Sequence, residues 1–271
     1  MKKNIKGIIM PIILFAIWII IFMWQPMIAY YGFFLIVAYL LIAKRYIVFA
    51  MQGSKAYKIK NYEYALNRYR KCVQVSGAKG VVINSYLIME LKYGDAERAM
   101  KYIDKNMNNK KFDSATKYNM TVGKSIALWK QHRMYDALSN LKDLIKKEES
   151  TYAYETLTSL LLINGNYEEA LKYTEMGLKY NNDSNILRSN EAECYYKLEN
   201  YEKAEELFKP LIEANVHFAE PYYYTGILCA KREENEKAME LLEKVIDCND
   251  SLLTTISKDS AQNILSDLYE R

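Results

Sequence analysis

Glycine and proline are scarce in this chain, at 10 and 4 of 271 residues. The turns of a strand-rich protein draw on both, so their scarcity disfavours a β architecture and excludes a collagen-like one. Histidine occurs twice, at His132 and His217. There is no H-E-x-x-H and no Cys/His cluster at ligand spacing, so neither a metal nor a cofactor is expected. The phosphate-cradling G-x-x-x-x-G-K-[ST] and G-x-G-x-x-G are missing, as is the nucleophile elbow G-x-S-x-G. Cys72, Cys194, Cys229 and Cys248 form no CxxC and no compact framework, which suits a reducing compartment. Acid pairs such as Glu168-Glu169 and Glu205-Glu206 open helices, where they complement the helix dipole. Catalysis is without sequence support, no small-molecule substrate is expected, and the expectation is a non-enzyme.

Acid is absent from the first 60 residues, which hold eight Lys/Arg. The formal net charge of +4 is thus an average of unlike regions. Residues 61–150 carry 17 basic against 10 acidic groups, and residues 151–271 carry 12 against 23. With so acidic a distal half, no basic patch for phosphate neutralisation is apparent and nucleic acid is not an expected partner. The N-terminal basic groups flank residues 7–43, a run of 37 without charge. One membrane span takes about 20 apolar residues, so the run predicts two, over residues 7–24 and 27–43, joined at Trp24-Gln25-Pro26. Trp24, Tyr30, Tyr31 and Tyr46 are candidate interfacial anchors. A cleaved signal peptide is the competing reading. It is disfavoured because the apolar run exceeds ~15 residues, no Ala-x-Ala site ends it and a second span follows. Lys/Arg lie on both sides of the hairpin and none in its turn, so both termini are expected in the cytoplasm with the hairpin in the cell membrane.

Past residue 45 one kind of segment recurs: Asn61-Tyr-Glu-Tyr-Ala65, Gly94 to Ala99, Met134-Tyr-Asp-Ala137, Asn166-Tyr-Glu-Glu-Ala170, Asn200-Tyr-Glu-Lys-Ala204 and Glu234-Asn-Glu-Lys-Ala238. The closing alanines lie 34, 38, 33, 34 and 34 residues apart. That period belongs to stacked two-helix units that bury their apolar faces only against one another. Residues 46–271 resemble a tetratricopeptide repeat (TPR) solenoid, with repeats starting near 46, 80, 118, 151, 185 and 219. The fold class expected is all-α: a transmembrane hairpin, about six helix-turn-helix repeats and a C-terminal capping helix over about 251–269. The TPR register places small residues at the eighth position of five repeats (Gly53, Ser125, Thr158, Ala192, Gly226), with Leu87 as the exception. Position 24, filling the seam of each pair, reads Tyr69, Ile103, Leu141, Thr174, Phe208 and Leu242. Pro210 falls inside a second helix and is expected to kink or divide it. Cys194 and Cys229 lie in neighbouring first helices, as packing residues in preference to a redox pair.

The TPR resemblance implies that the first helix of each repeat lines a groove for a protein or peptide. Its groove positions here include Asn84, Asn119, Ile126, Trp129, Tyr152, Glu155, Ser189, Glu193, Tyr196, Glu220 and Tyr223. Aromatic, amide and acidic groups suit a neutral or basic peptide with apolar anchors. The competing reading of the aromatic residues is ordinary packing between repeats. The family's carboxylate clamp needs Lys and Asn where this chain has Ala50 and Ser54, so that activity is not expected. The function expected is a membrane-anchored scaffold or adaptor. The alternative is an accessory or assembly subunit of an integral membrane enzyme, transporter or secretion complex, recognised through the hairpin.

Overall fold

The computed structural model describes residue 19 and residues 22–75 and 77–270. Its elements are all helical, with no strand among the described residues. They are α1 (Pro26–Ala43), α2 (Arg45–Lys58), α3 (Tyr62–Gln74), α4 (Gly80–Tyr93), α5 (Ala96–Asn106), α6 (Ser114–Lys130) and α7 (Met134–Lys147). There follow α8 (Thr151–Ile163), α9 (Tyr167–Tyr180), α10 (Asn185–Lys197), α11 (Tyr201–Glu213), α12 (Glu220–Lys231), α13 (Asn235–Asp247) and α14 (Lys258–Tyr269). By contact density the chain divides into residues 1–86 and 87–271, the boundary falling within α4.

In the first unit, Pro26 opens α1 at a first-turn position, where its missing N–H is no loss. Among the described residues α1 is the one helix long and apolar enough to cross a membrane, by length and composition. It has 18 residues and a mean hydropathy of 2.0, and none of it is buried within the protein. The predicted span over 7–24 lies outside the described residues except for Ile19 and Phe22 to Trp24, so the two-span hairpin rests on the sequence. A single turn residue, Lys44, separates α1 from α2. Tyr46 corrects one expectation: it is buried with Cys72 and Val75 between α2 and α3 and is not available as an interfacial anchor. A Cβ built on Gly53 would lie 3.0 Å from the Tyr69 ring, so a small eighth position meets the position-24 side chain as the repeat register implies.

The second unit repeats that geometry. First helices α6, α8, α10 and α12 each pack on their partners α7, α9, α11 and α13, and successive first helices touch one another. The close approach recurs at Gly226, whose added Cβ would stand 3.0 Å from Leu242. The turn between paired helices is also copied: Lys60, His132, Gly165, Glu199 and Glu233, all at the fifteenth position of their repeats, have φ of 59°, 60°, 80°, 63° and 63°. This left-handed residue ends the first helix and aims the chain into the second. Asn61 and Asn200, next in sequence, accept the N–H of Tyr64 and Lys203 as N-caps. Two expectations need correction. Pro210 does not divide α11, which continues through it to Glu213; in the last turn little helix remains to be disrupted. The capping helix starts at Lys258, not near 251, with Ser257 as its N-cap. Residues 248–257, between α13 and α14, are not helical.

Candidate partner-binding groove

The predicted groove residues lie on first helices, and the structure sorts them by depth. Asn84, on α4 in the first unit, is half-buried, and its Oδ1 has no hydrogen-bond partner. In the second unit Asn119, Trp129, Tyr152, Glu155, Tyr196 and Tyr223 are half-buried on α6, α8, α10 and α12. Ile126, Ser189, Glu193 and Glu220 are buried, at 2%, 2%, 2% and 8% exposure. Trp129 and Tyr152 pack against the apolar cluster of α6–α10, in which Leu157, Leu160 and Leu161 are fully buried. Tyr196 and Tyr223 pack against the cluster of α10–α14. Glu155 accepts a hydrogen bond of 2.6 Å from the hydroxyl of Ser184, the N-cap of α10, and so ties neighbouring repeats together.

What covers the acidic part of this face is the chain itself. Residues 249–257 return across the first helices as an irregular, non-helical strap. Lys92 Nζ, near the end of α4, donates to the Asp250 carbonyl at 2.5 Å. Leu253 packs against the cluster that holds Trp129 and Tyr152. Thr254 Oγ1 donates to Glu220 Oε1 at 2.7 Å, and Thr255 Oγ1 donates to Glu193 Oε1. Tyr224 OH donates to the same Glu193 oxygen at 2.8 Å and stands 2.9 Å from Thr255 Oγ1, closing a triangle. Ile256 is half-buried against the α10–α14 cluster. Predicted residues Glu193 and Glu220 thus converge on one feature.

Residues 161–225 match the family model for the tetratricopeptide repeat. A tetratricopeptide repeat protein from Parabacteroides merdae superposes with a TM-score of 0.62 at 14% identity, over 83% of this chain and 84% of that one. The helix pairs of this chain thus resemble tetratricopeptide repeats, in sequence over residues 161–225 and in fold more widely. A chain of the APC/C hetero-tetramer Cut9-Hcn1 superposes at 0.61 and 9% identity, over 77% of this chain and 40% of that one. Pseudomonas aeruginosa pilF superposes at 0.52 and 15% identity, over 74% and 90%. At such identities the likeness is one of fold.

Burial governs the electrostatics of the TPR face. Glu193 is pushed up to about 7, chiefly by burial, against the pull of the Thr255 and Tyr224 hydrogen bonds. Glu220 is raised for the same reason, again opposed by its threonine partner, Thr254. Lys92 is lowered by burial. The Lys197 ammonium lies 5.3 Å from the Tyr224 ring centroid, and that ring is also 4.5 Å from Tyr196 and stacks on Phe208 at 5.9 Å. All four cysteines are free thiols, three of them buried, and burial raises Cys194 and Cys229. Among the described residues no group of three or more His, Cys, Asp or Glu could hold a metal ion. His132 serves the turn before α7, and the His217 carbonyl accepts the Asn249 N–H at 3.1 Å.

Sequence reasoning missed Tyr224, Thr254 and Thr255. Tyr224 adjoins the chosen Tyr223 but points the other way round the helix, into the core, at 1% exposure. The threonines stand in a stretch read as helix, and the adjacent β-branched pair before a serine N-cap was the available sign of non-helical chain.

Proposed function

We propose that this protein is a membrane-anchored adaptor whose TPR face holds an extended segment of a protein partner at the cytoplasmic side of the membrane. The observation that carries the reading is the strap: the first-helix face receives a length of non-helical chain through side-chain hydrogen bonds and apolar contacts, which is how a peptide ligand would be held. An uncovered apolar helix of 18 residues stands ahead of the repeats and supports the anchor. The basic groups flanking it, Lys44, Arg45, Lys55 and Lys58 among them, support a cytoplasmic orientation. The partner is a neutral or basic peptide with apolar anchors. Lipid is the second partner.

Cross-linking in native membranes tests the groove, with a Trp129→Ala plus Tyr223→Ala variant beside the wild type. The adaptor reading expects specific cross-links that the variant loses; a partner set unchanged by the variant refutes it. Exchanging residues 1–45 for an unrelated two-span anchor separates the adaptor from the accessory subunit, since only an accessory subunit recognised through its hairpin loses its partner. Alkaline carbonate should leave the wild type in the membrane fraction and extract a chain lacking residues 1–45.

A further inference from the structure

The connection between α13 and α14 is longer than its neighbours. Three residues join α7 to α8, four join α9 to α10 and six join α11 to α12, whereas ten separate Asp247 from Lys258. Most connections in compact folds are about 4–6 residues, and longer ones without secondary structure tend to be functional. The extra length here is spent crossing the groove. Its side chains reach Glu220 on α12, Glu193 and Tyr224 on α10 and α12, and the α6–α10 cluster through Leu253.

Two properties distinguish this strap from an ordinary strut. Among the described residues its main chain bonds to the main chain elsewhere only at Asn249, beside α13, and at Ser257, whose carbonyl starts α14. From 250 to 256 the hold comes from side chains, among them Lys92 on the Asp250 carbonyl and Lys258 on its carboxylate, so the middle of the strap can leave without breaking a helix or a ladder. Its seat is also loosely filled: a cavity of about 220 Å³ lies beside it, lined by Glu220, Asp250, Thr254, Ile256 and Lys258 among others. Departure of the strap takes a hydroxyl donor from Glu193 and from Glu220, and an incoming segment that keeps water out must supply donors in their place.

We propose that residues 250–256 are a built-in occupant of the groove, and that the partner is an extended peptide which displaces them by presenting the same chemistry. Resting on the adaptor reading above, this names the ligand class: an apolar side chain, two successive hydroxyl-bearing residues and a second apolar side chain, as in Leu253-Thr254-Thr255-Ile256. The hydroxyls re-satisfy Glu220 and Glu193 in the order the strap does, and the apolar residues replace Leu253 and Ile256. Partner binding is then a competition between two segments for one seat, and its affinity is set partly by how well this chain binds itself.

The test uses the full-length chain in detergent micelles and, as probe, a fluorescein-labelled peptide with the sequence of residues 249–257, read by anisotropy. In a Thr254→Ala plus Thr255→Ala variant the strap is a weaker competitor, and the peptide should bind at least about tenfold more tightly than to wild type. A Thr254→Ser plus Thr255→Ser variant keeps both hydroxyls and should behave as wild type. A peptide with valine in place of both threonines should lose most of its binding to the alanine variant. Equal peptide affinity of wild type and a folded alanine variant overturns the proposal. Should that variant not fold, hydrogen exchange on the wild type decides. Added peptide should accelerate exchange across 250–256 while the helices keep their protection, and unchanged exchange at saturating peptide, or no peptide binding, overturns the proposal. If the peptide results fail while Trp129→Ala plus Tyr223→Ala still abolishes the native cross-links, only the strap proposal falls. If those cross-links persist, the groove reading falls with it.

Discussion

Glu193 makes a sharp prediction about pH. Its carboxyl is 2% exposed, and burial lifts it from 4.5 to about 7 against the Tyr224 and Thr255 hydrogen bonds. Glu220 raises it further and Lys197 opposes. The folded chain therefore binds this proton more tightly than the unfolded chain. Between pH 4.5 and 7 the native state holds more protons, so stability falls as pH rises through that window and levels off above it. A displacement of that size, at 1.36 kcal/mol per pH unit, corresponds to a loss of about 3 kcal/mol. For a chain of this size that is roughly 6–12 °C in Tm. Glu193→Gln keeps an oxygen for Tyr224 and Thr255 but has nothing to titrate. Thermal unfolding of the full-length chain in detergent, followed by circular dichroism from pH 4.5 to 8, should show the wild type losing stability relative to Glu193→Gln, most steeply midway through that window, at about pH 5.5–6. Glu155 is raised in both proteins and cancels in the difference. Parallel curves across the whole range would refute the claim that this carboxyl is held protonated by its surroundings.

Glycines in the helices should respond with opposite signs. An Ala Cβ at Gly123 would meet side chains at 3.7 Å or more, so Gly123→Ala should gain about 0.5–1 kcal/mol from helix propensity in urea unfolding. At Gly177 it would stand 2.9 Å from Leu187 and 3.0 Å from Tyr154, and Gly177→Ala should lose about 1–2 kcal/mol. The shared left-handed turn gives a second series: Glu199→Gly and Glu233→Gly relieve a strained φ of 63°, and each should raise Tm by a few degrees, whereas Ala at either place should not. In thiol titration of the native chain Cys248 should react first, with Cys72, Cys194 and Cys229 protected until unfolding; rapid native labelling of Cys194 would contradict the packing described.

Much of the fold was legible because a repeat states its own register. The alanine spacing located the helix pairs, and with them the contact of Gly53 with Tyr69 and of Gly226 with Leu242. The strap was illegible for a specific reason. Leu253 and Ile256 fall at helical spacing with Ala261, Leu265 and Leu268, so apolar periodicity extended the last helix over them. In the structure the latter three are buried by α14, while Leu253 and Ile256 are covered by the face the strap crosses. Pro210 does not divide its helix because position within the helix matters more than the residue: three residues from the end of α11 little helix remains to be cut off. Of the groove, the helix and register of each residue followed from sequence, but depth did not. Glu155 and Ser189 both hold the fifth position of their repeats, yet the first is half-buried and the second buried.

Depth also changes what the acidic groove residues mean. Read from sequence, Glu193 and Glu220 argue for a basic partner, and the distal excess of 23 acidic over 12 basic groups points the same way. Buried carboxyls raised toward neutrality are poor partners for an ammonium, which would itself be desolvated on arrival, and a buried ion pair recovers that cost only with good geometry and full hydrogen bonding. A hydroxyl costs far less to bury and gives a buried oxygen the donor it lacks. Glu206, Glu243 and the other acids of the exposed helix faces remain in water. They act at long range, steering a basic segment by its flanks and fading as salt is added. On the proposed reading two kinds of acid do two jobs: exposed carboxylates influence how fast a partner arrives, while the buried pair selects for hydroxyls in the residues that enter the groove.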